Sequence, residues 1–302
     1  MTRPVVPVSV IMPAYNNAAT VRRALSSVAA QSVAPMQVVV VDDGSADESA
    51  QRAQSCAALL APTELVVISQ ANAGAGAARN AAIALAKGEF LAFLDADDEW
   101  LPEKLEHSLA HLAGADILFV SHDMDVQSKV GAVVPMDCAV HFNRARDPFS
   151  ALMRRGFVAT STVVARRDAV LAAGGFAIHL RAAQDYDLWL RLAQNGRFVV
   201  FPGAWTRYHL NDSGITANVE QRRLCSLMVL HRNMVGLYGR SGAWATVILR
   251  TAIIHYEAAS AHIGRRQLGP ALAALLRFPY CLAGTLLLFL RGKSTPGGAE
   301  CR

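Results

Sequence analysis

The segment FLAFLDADDEW, at 90–100, carries three carboxylates directly after an apolar run. Asp95, Asp97 and Asp98 would repel one another at the end of a buried segment unless a cation joined them. Oxygen ligands suit Mg²⁺ or Mn²⁺, and these metals take substrate phosphates as further ligands. The segment therefore predicts a site for a metal ion and a nucleoside diphosphate that carries a transferable group. An alternative is that Asp97 or Asp98 caps a helix beginning near Pro102.

Polar clusters follow other apolar runs in the same way. The predicted strands cover residues 7–13, 37–41, 65–69, 89–95 and 116–120, with helices expected over 18–31 and 76–88. The clusters after the first three strands are Tyr15-Asn16, Asp42-Asp43 and Asn72–Gly76. Strands that alternate with helices indicate βαβ units and an α/β fold with a mostly parallel sheet. Because ligands bind beyond the carboxyl ends of such strands, we expect the clusters to converge on one sheet edge.

Composition restricts the class of protein. The chain has 302 residues, of which 53% are hydrophobic, and this is enough for a sizeable core. The net charge is +5, but residues 222–302 hold eleven Lys and Arg against two acids, a local balance of +9. Five widely spaced cysteines without a CxxC pair favour a reducing compartment over a disulfide framework or a zinc site. Prolines interrupt the apolar N-terminal stretch, unlike a signal peptide, so we expect a cytoplasmic protein.

Several segments, in their order and spacing, together resemble the family 2 glycosyltransferases. They are SVIMPAYNN at 9–17, VVVVDDGSAD at 38–47, NAGAGAARN at 72–80, LDADD at 94–98, GGF at 174–176, QDYDLWLRLA at 184–193 and RYHLNDSGIT at 207–216. The family has the GT-A fold and is generally inverting. The resemblance implies a catalytic domain at 1–217, with a nucleotide-binding half at about 1–120 and an acceptor half at about 121–217. A basic, apolar and helical extension would follow at 218–302.

The resemblance implies a role for each matching position. It assigns the nucleotide pocket to Pro13, Ala14, Tyr15, Asp43, Arg79, Asp95 and Ala96. Tyr15 would lie against the base, Asp43 would accept a hydrogen bond from the base, and Asp95 would lie near the ribose. Asp97 would bind Mn²⁺ or Mg²⁺, and His209 would complete metal or diphosphate binding, although a lone histidine is also compatible with a structural role. UDP is the default nucleotide, and dTDP and GDP remain open.

Asp185 is implied as the general base of a single displacement. The family usually has Glu-Asp at this point, whereas here Gln184 precedes the aspartate. The missing carboxylate removes like-charge repulsion, so we expect the pKa of Asp185 to be raised less. Asp185 also fits as the cap of the following helix, and the two roles are compatible. Gln184 and Trp189 are expected near the acceptor, although a helical tryptophan is also typical of a core.

Other classes stay open at this point. A nucleotidyltransferase acting on a nucleoside triphosphate, or a non-catalytic protein that binds a nucleotide sugar, would use the same acidic site. The stretch GAGAAR at 74–79 nearly matches the dinucleotide fingerprint GxGxxG, but it does not follow the first strand and it carries Arg79. The aspartate clusters have no role in hydride transfer. The expected partners are a nucleoside-diphosphate sugar and a glycan or lipid-linked acceptor, and not a nucleic acid.

The C-terminal end is apolar and basic. Helices are expected over 242–263 and 271–293, but Arg277 and Pro279 leave an uninterrupted run of only 13 residues, 278–290. This run is shorter than the ~20 residues needed to cross a bilayer. We therefore expect peripheral contact with the inner face of the cytoplasmic membrane through 242–293. A helix pair packed in a core, or an oligomer contact, is the alternative.

Overall fold

The computed structural model describes residues 3–128, 131–156, 158–210 and 218–292. Contacts divide the chain into two compact units. The first comprises Met1–Arg144, Val158–Phe176 and Asn195–Asn211, and the second comprises Ala145–Phe157, Ala177–Gln194 and Asp212–Arg302. The predicted division at residue 217 differs from this one, because two segments that precede it group with the C-terminal helices.

Four parallel strands form one half of the sheet in the first unit. They are β1 (Val5–Ala14), β2 (Ala34–Asp42), β3 (Glu64–Ser69) and β4 (Phe90–Phe93), in the order β3-β2-β1-β4. The valines of β2 are fully buried, as a strand covered on both faces requires. The first four predicted strands are thus confirmed, and so is the convergence of their carboxyl ends. In register, Ala14 at the end of β1 pairs with Asp42 at the end of β2.

Five short helices, four of them between these strands and one after them, pack on this half of the sheet. They are α1 (Val21–Ala29), α2 (Ser49–Gln54), α3 (Ala57–Leu60), α4 (Ala75–Leu85) and α5 (Lys104–His111). The two predicted helices correspond to α1 and α4. The tight fit of helix to sheet is visible at Gly88, where an added Cβ would lie 2.5 Å from the amide nitrogen of Ser9. No side chain fits there, which fixes the path of the chain from α4 into β4.

The other half of the sheet is mixed. Its strands are β5 (Glu99–Trp100), β6 (Ile117–Gln127), β7 (Val133–Met136), β8 (Val164–Arg166) and β9 (Arg197–His209). The predicted fifth strand is β6, but it does not pair with β4, because the antiparallel β8 lies between them. Beyond β6 the order continues to β9, which is parallel to β6, and then to the two-residue β5. The helices α6 (Ala139–Asn143) and α8 (Arg167–Ala172) complete the first unit.

The second unit is helical. Its elements are α7 (Pro148–Arg155), α9 (Gln184–Asn195), α10 (Val219–Asn233), α11 (Ala243–Gly264) and α12 (Leu268–Leu290). The helices predicted over 242–263 and 271–293 correspond to α11 and α12, and α12 continues through Arg277 and Pro279 for 23 residues in all. Among the described residues, α12 is the one helix whose length and composition would allow it to cross a membrane.

Candidate active site

The acidic loop that follows β4 forms a tight turn in which Asp98 is the buried member. Its amide donates to the Asp95 carbonyl at 3.1 Å, and its side chain is only 1% exposed. The carboxylate accepts from the Ser161 hydroxyl at 2.5 Å and from the His209 amide at 3.1 Å. Burial, with further contributions from Asp95 and Asp97, raises the pKa of Asp98 well above its usual value. Asp98 therefore holds the loop in shape rather than facing a ligand.

The helix-cap alternative for this loop is wrong. Helix α5 begins at Lys104, its capping position is Glu103, and the first-turn amide of Leu105 donates to the side chain of Gln31 at 3.0 Å. Asp97 and Asp98 lie outside that first turn. Asp97 is partly exposed, and its carbonyl accepts a hydrogen bond from the guanidinium of Arg23.

Asp95 is oriented by Arg79, a residue of a different sequence segment. The guanidinium donates to the Asp95 carboxylate at 2.6 Å, and the arginine side chain is 8% exposed against 28% for the aspartate. The same guanidinium lies 5.3 Å from the centre of the Phe176 ring. Phe176 in turn is bound at its backbone by Asn80, whose amide group donates to the Phe176 carbonyl at 2.9 Å and accepts from its N–H at 2.8 Å. The GGF segment thus supports the arginine that positions Asp95.

Asp43, at the end of β2, organises the loop that follows β3. One carboxylate oxygen accepts from the Gln70 side chain at 2.8 Å and from the Ala73 amide at 2.9 Å, and the other accepts from the Gly74 amide at 2.8 Å. A carboxylate has about four acceptor positions. The protein occupies three of them, so one acceptor position remains on this carboxylate, and the residue is 3% exposed.

The segment after β1 offers a ring to solvent. Tyr15 is 53% exposed, whereas Pro13 and Ala14 are buried in β1. Asn16 has a positive φ of 53° and is tied on both sides to the loop after β2: its amide donates to Ser45 Oγ at 2.9 Å, and its side chain accepts from the Ala46 amide at 2.9 Å. Of the three predicted residues, Tyr15 alone has a side chain that can stack on a base.

His209, at the end of β9, faces Glu99. Its Nε2 lies 3.2 Å from Glu99 Oε1, and Arg207 binds the same oxygen at 3.1 Å. Burial and the neighbouring Arg23 lower the pKa of His209, so the ring is neutral near pH 7. A neutral imidazole is the form that binds metals, but here the ring nitrogen is occupied by a carboxylate.

Within the described ranges, no three His, Cys, Asp or Glu side chains form a ready-made metal cage. Mg²⁺ and Mn²⁺ seldom use such a cage and are usually held by one or two carboxylates together with substrate phosphates and waters. The partly exposed Asp97, in a loop of carboxylates, has the oxygen chemistry that such a metal prefers. The donor set therefore fits a cation that arrives with a diphosphate.

In the second unit, the two acids of QDYD have different surroundings. Asp187 is fully buried and binds Arg191 at 2.8 Å, Arg232 at 3.2 Å and Asn233 at 2.9 Å, which fastens α9 to α10. Asp185 is partly exposed in the first turn of α9 and accepts from the amide of the next residue at 2.8 Å. Asp185 is thus the acid with access to solvent.

The two residues predicted to contact the acceptor are both buried. Trp189 is fully buried on α9, so it belongs to the core, and an acceptor sugar does not reach its ring. Gln184 is 7% exposed and donates to the Leu180 carbonyl. At the position before Asp185, this chain thus has a glutamine whose side chain stabilises the start of α9.

Sequence reasoning missed three side chains that organise the site: Ser161, Glu99 and Asn80. Ser161 joins two parts of the acidic loop, because its hydroxyl donates to Asp98 and accepts from the Asp95 amide at 3.1 Å. It lies more than sixty positions from both partners and outside every motif. Asn80 ends the NAGAGAARN segment and Glu99 follows LDADD, and their position next to Arg79 and the acidic loop is the signal that could have identified them.

A protein-family match and several similar proteins connect this chain with glycosyltransferases. The family "Glycosyl transferase family 2" matches residues 9–164. An uncharacterized glycosyltransferase of Nostoc sp. is 42% identical over 119 residues, which span 39% of this chain and 37% of that protein. The Escherichia coli UDP-Glc:alpha-D-GlcNAc-diphosphoundecaprenol beta-1,3-glucosyltransferase WfgD is 28% identical over 217 residues, covering 70% of this chain and 80% of the relative.

Solved structures of low sequence identity share the fold. TarS of S. aureus, in complex with UDP-GlcNAc, has a TM-score of 0.69 and 18% identity and covers 95% of this chain and 89% of its own. The mannosyltransferase PcManGT from Pyrobaculum calidifontis, in complex with GDP-Man and Mn²⁺, has a TM-score of 0.61 and 20% identity and covers 96% and 81%. The fold of this chain is therefore of the GT-A type.

Proposed function

Since the chain belongs to glycosyl transferase family 2 and is a glycosyltransferase, we propose that it moves a sugar from a nucleoside-diphosphate sugar to a hydroxyl of a glycan or lipid-linked acceptor. The observation that supports the donor side best is the row of groups at the carboxyl edge of the sheet. It holds an exposed Tyr15, Asp43 with one acceptor position left, and Asp95 oriented by the buried Arg79. These groups offer the stacking, hydrogen bonding and charge with which a protein binds the base, ribose and diphosphate of a nucleotide.

UDP is the nucleotide we expect. TarS is described in complex with UDP and with UDP-GlcNAc, and WfgD is named for UDP-Glc. GDP remains the second candidate, because PcManGT is described with GDP-Man. Retention of the family segments and the similarity to named glycosyltransferases favour glycosyl transfer over nucleotidyl transfer.

The proposed reaction is a single displacement with inversion. The Asp185 carboxylate takes the proton of the acceptor hydroxyl as that oxygen forms its bond to the anomeric carbon, and the bond from that carbon to the diphosphate breaks. Base assistance of this kind contributes roughly 10²–10⁴-fold. Asp185 suits this role because it is partly exposed, whereas Asp187 is buried and forms ion pairs with Arg191 and Arg232.

Asp97 is the residue we propose as the protein ligand of Mn²⁺ or Mg²⁺. When bound, the cation neutralises charge on the departing diphosphate, worth several kcal/mol by order of magnitude. Arg79 and Arg23 meanwhile hold the loop, through the Asp95 carboxylate and the Asp97 carbonyl. His209 completes this site only if its ring leaves Glu99, so we propose it as a diphosphate contact of the loaded enzyme.

The acceptor side is a proposal based on relatives. WfgD is named for an acceptor on diphosphoundecaprenol, a lipid carrier. An acceptor of this class would place the enzyme at the inner face of the cytoplasmic membrane, in contact through residues 242–293.

The test begins with nucleotide binding and continues to transfer. UDP, dTDP, GDP and CDP should be compared by thermal shift, each with and without Mn²⁺; a ligand at 100 times its Kd stabilises the fold by about 2.7 kcal/mol. With the nucleotide known, Asp185→Asn should lose transfer and keep the thermal shift. Asp168→Asn is the matched control, because Asp168 also lies in the first turn of a helix and accepts from the next amide, at 2.7 Å. No shift with any nucleotide, or near-normal transfer by Asp185→Asn, would contradict the proposal.

A further inference from the structure

Helix α12 presents large apolar side chains to solvent along its whole length. Six of them are each more than half exposed: Leu268, Leu272, Leu276, Tyr280, Leu287 and Leu290. At 100° per residue they fall within an arc of about 120° on one side of the helix. A soluble helix normally turns its charged residues outward, so this leucine face is an apolar patch of the kind that marks an interaction surface.

The opposite side of α12 is fixed to the rest of the second unit by polar contacts at three levels. His255 Nδ1 lies 2.7 Å from the Ala274 carbonyl, and His231 Nε2 lies 2.8 Å from Thr285 Oγ1. Near the C-terminal end, the Tyr238 hydroxyl donates to the Phe289 carbonyl at 3.0 Å. The leucine face is therefore the outer side of a helix that is already packed, and not the core side of an incomplete bundle.

The charges around this face favour a partner that is negative. Exposed arginines stand directly before α12, at Arg265 and Arg266, and directly after it, at Arg291. Residues 222–302 carry a balance of +9 from eleven bases and two acids. A second copy of this chain would bring the same positive charge to the interface, whereas an anionic lipid leaflet brings the opposite sign, worth roughly fivefold in affinity per arginine near the surface.

The polar contacts also indicate how α12 meets a bilayer. Its 23 residues span about 35 Å, which is enough to cross the hydrocarbon core. Crossing, however, would carry the Arg277–Glu220 ion pair, at 2.6 Å, and the two histidine contacts into hydrocarbon. Lying flat leaves these groups on the protein side and places only the leucine face among acyl chains.

We infer that α12 docks on an anionic membrane surface with its axis parallel to the surface and its leucine face inserted at the boundary between headgroups and acyl chains. This inference deepens the membrane location in the proposed function, since it names the surface, the lipid charge and the orientation. It does not depend on donor or acceptor identity.

The test uses the full chain and two kinds of vesicle, pure phosphatidylcholine and equal parts phosphatidylcholine and phosphatidylglycerol. We expect flotation with the anionic vesicles, weakened by salt and by Arg265→Gln/Arg266→Gln. Leu272→Glu/Leu276→Glu should lower binding about tenfold or more, because two leucines leave the apolar phase.

The matched control is Leu59→Glu/Leu171→Glu, which changes two exposed leucines of the first unit and should bind as wild type. Equal binding by the α12 variant and the control, or no binding by wild type, would overturn the inference. Binding that resists alkaline carbonate would indicate a crossing helix and overturn the flat orientation. A dimer that becomes monomeric in the α12 variant while vesicle binding stays unchanged would assign the face to a second copy instead.

Nucleotide thermal shifts on the same variants separate this test from that of the proposed function. They should stay unchanged, because the leucine face lies in the helical second unit and the nucleotide groups lie in the first.

Discussion

Replacement of Gly175 by alanine should weaken donor binding through a chain of four contacts. Gly175 has a φ of +65°, and an added Cβ would lie 2.6 Å from the side-chain oxygen of Asn80, closer than real Cβ contacts allow. That oxygen accepts the Phe176 amide, and the same side chain donates to the Phe176 carbonyl. The ring of Phe176 supports Arg79, which orients Asp95. The clash therefore displaces the support of the carboxylate that we place near the ribose.

The magnitude follows from the contacts that change. An alanine in the left-handed region costs about 1 kcal/mol relative to glycine. Loss of one of the two Asn80 hydrogen bonds costs about 1 kcal/mol more, and loss of both about 2 kcal/mol. We expect Gly175→Ala to lower the free energy of unfolding by about 2–3 kcal/mol. The KM for the nucleotide sugar should rise about tenfold while kcat changes less, since the displaced groups bind the donor and do not transfer the proton.

Gly174→Ala is the matched control. Gly174 has a φ of +80° and no atom within 4 Å of an added Cβ, so the variant carries the backbone strain without the clash. Urea unfolding and initial rates against donor concentration would be measured for both variants and for Asn80→Ala. In a double-mutant cycle, Asn80→Ala and Gly175→Ala should be far from additive, because they remove the same contact. Equal stability and equal KM for the two glycine variants would refute the reasoning.

Three further predictions concern buried or altered titratable groups. Lys104→Met should raise the free energy of unfolding at pH 7, measured by urea titration. Burial lowers the pKa of this lysine well below its usual value, and in the described part of the chain its Nζ has no hydrogen-bond partner. Lys87→Met, at an exposed ion pair, is the control and should change the free energy of unfolding little. Burial lowers the pKa of His122 to about 3. The neutral ring therefore contributes fully to the free energy of unfolding above pH 6.5, and this contribution is lost as the pH falls towards 3. Between pH 6.5 and 5, wild type should lose about 2 kcal/mol more than His122→Gln, and parallel acid titrations would contradict this. Gln184→Glu should lower the free energy of unfolding at pH 7, because a carboxylate at this buried position cannot donate to the Leu180 carbonyl, and unchanged urea unfolding would contradict this.

The sequence predicts well those strands that are buried on both faces. The uninterrupted valines of β2 and the apolar runs of β1 and β4 have one compatible environment, a sheet covered by helices. The strand β8 has only three residues, Val164–Arg166, and its place between β4 and β6 depends on pairing with both. The strand β9, which lies on the other side of β6, contains Pro202 and Gly203, which break any strand pattern. These strands are set by their partners and not by their own composition, so a reading along the chain misses them.

The candidate site shows the same limit at the level of single side chains. Asp95, Asp97 and Asp98 are chemically alike, and nothing in the motif says which of them is buried. The structure distinguishes them through groups far away in the chain: Ser161 and the backbone of His209 hold Asp98, while Arg79 holds Asp95. The motif locates the loop, but long-range hydrogen bonds assign the roles.

The C-terminal helix shows how a long-range contact accommodates a charged residue within an apolar run. Arg277 reads as an interruption of an apolar run, yet its guanidinium lies 2.6 Å from Glu220 of α10 and needs no break in the helix. Pro279 removes one helical hydrogen bond, the one to the carbonyl of Leu275, but both residues are exposed. Water can bind that carbonyl, and the proline ring takes its place on the leucine face without a loss of core packing. The same two residues would be costly in the middle of a bilayer, where no water compensates, so their position within α12 independently favours a helix that lies on a membrane over one that crosses it.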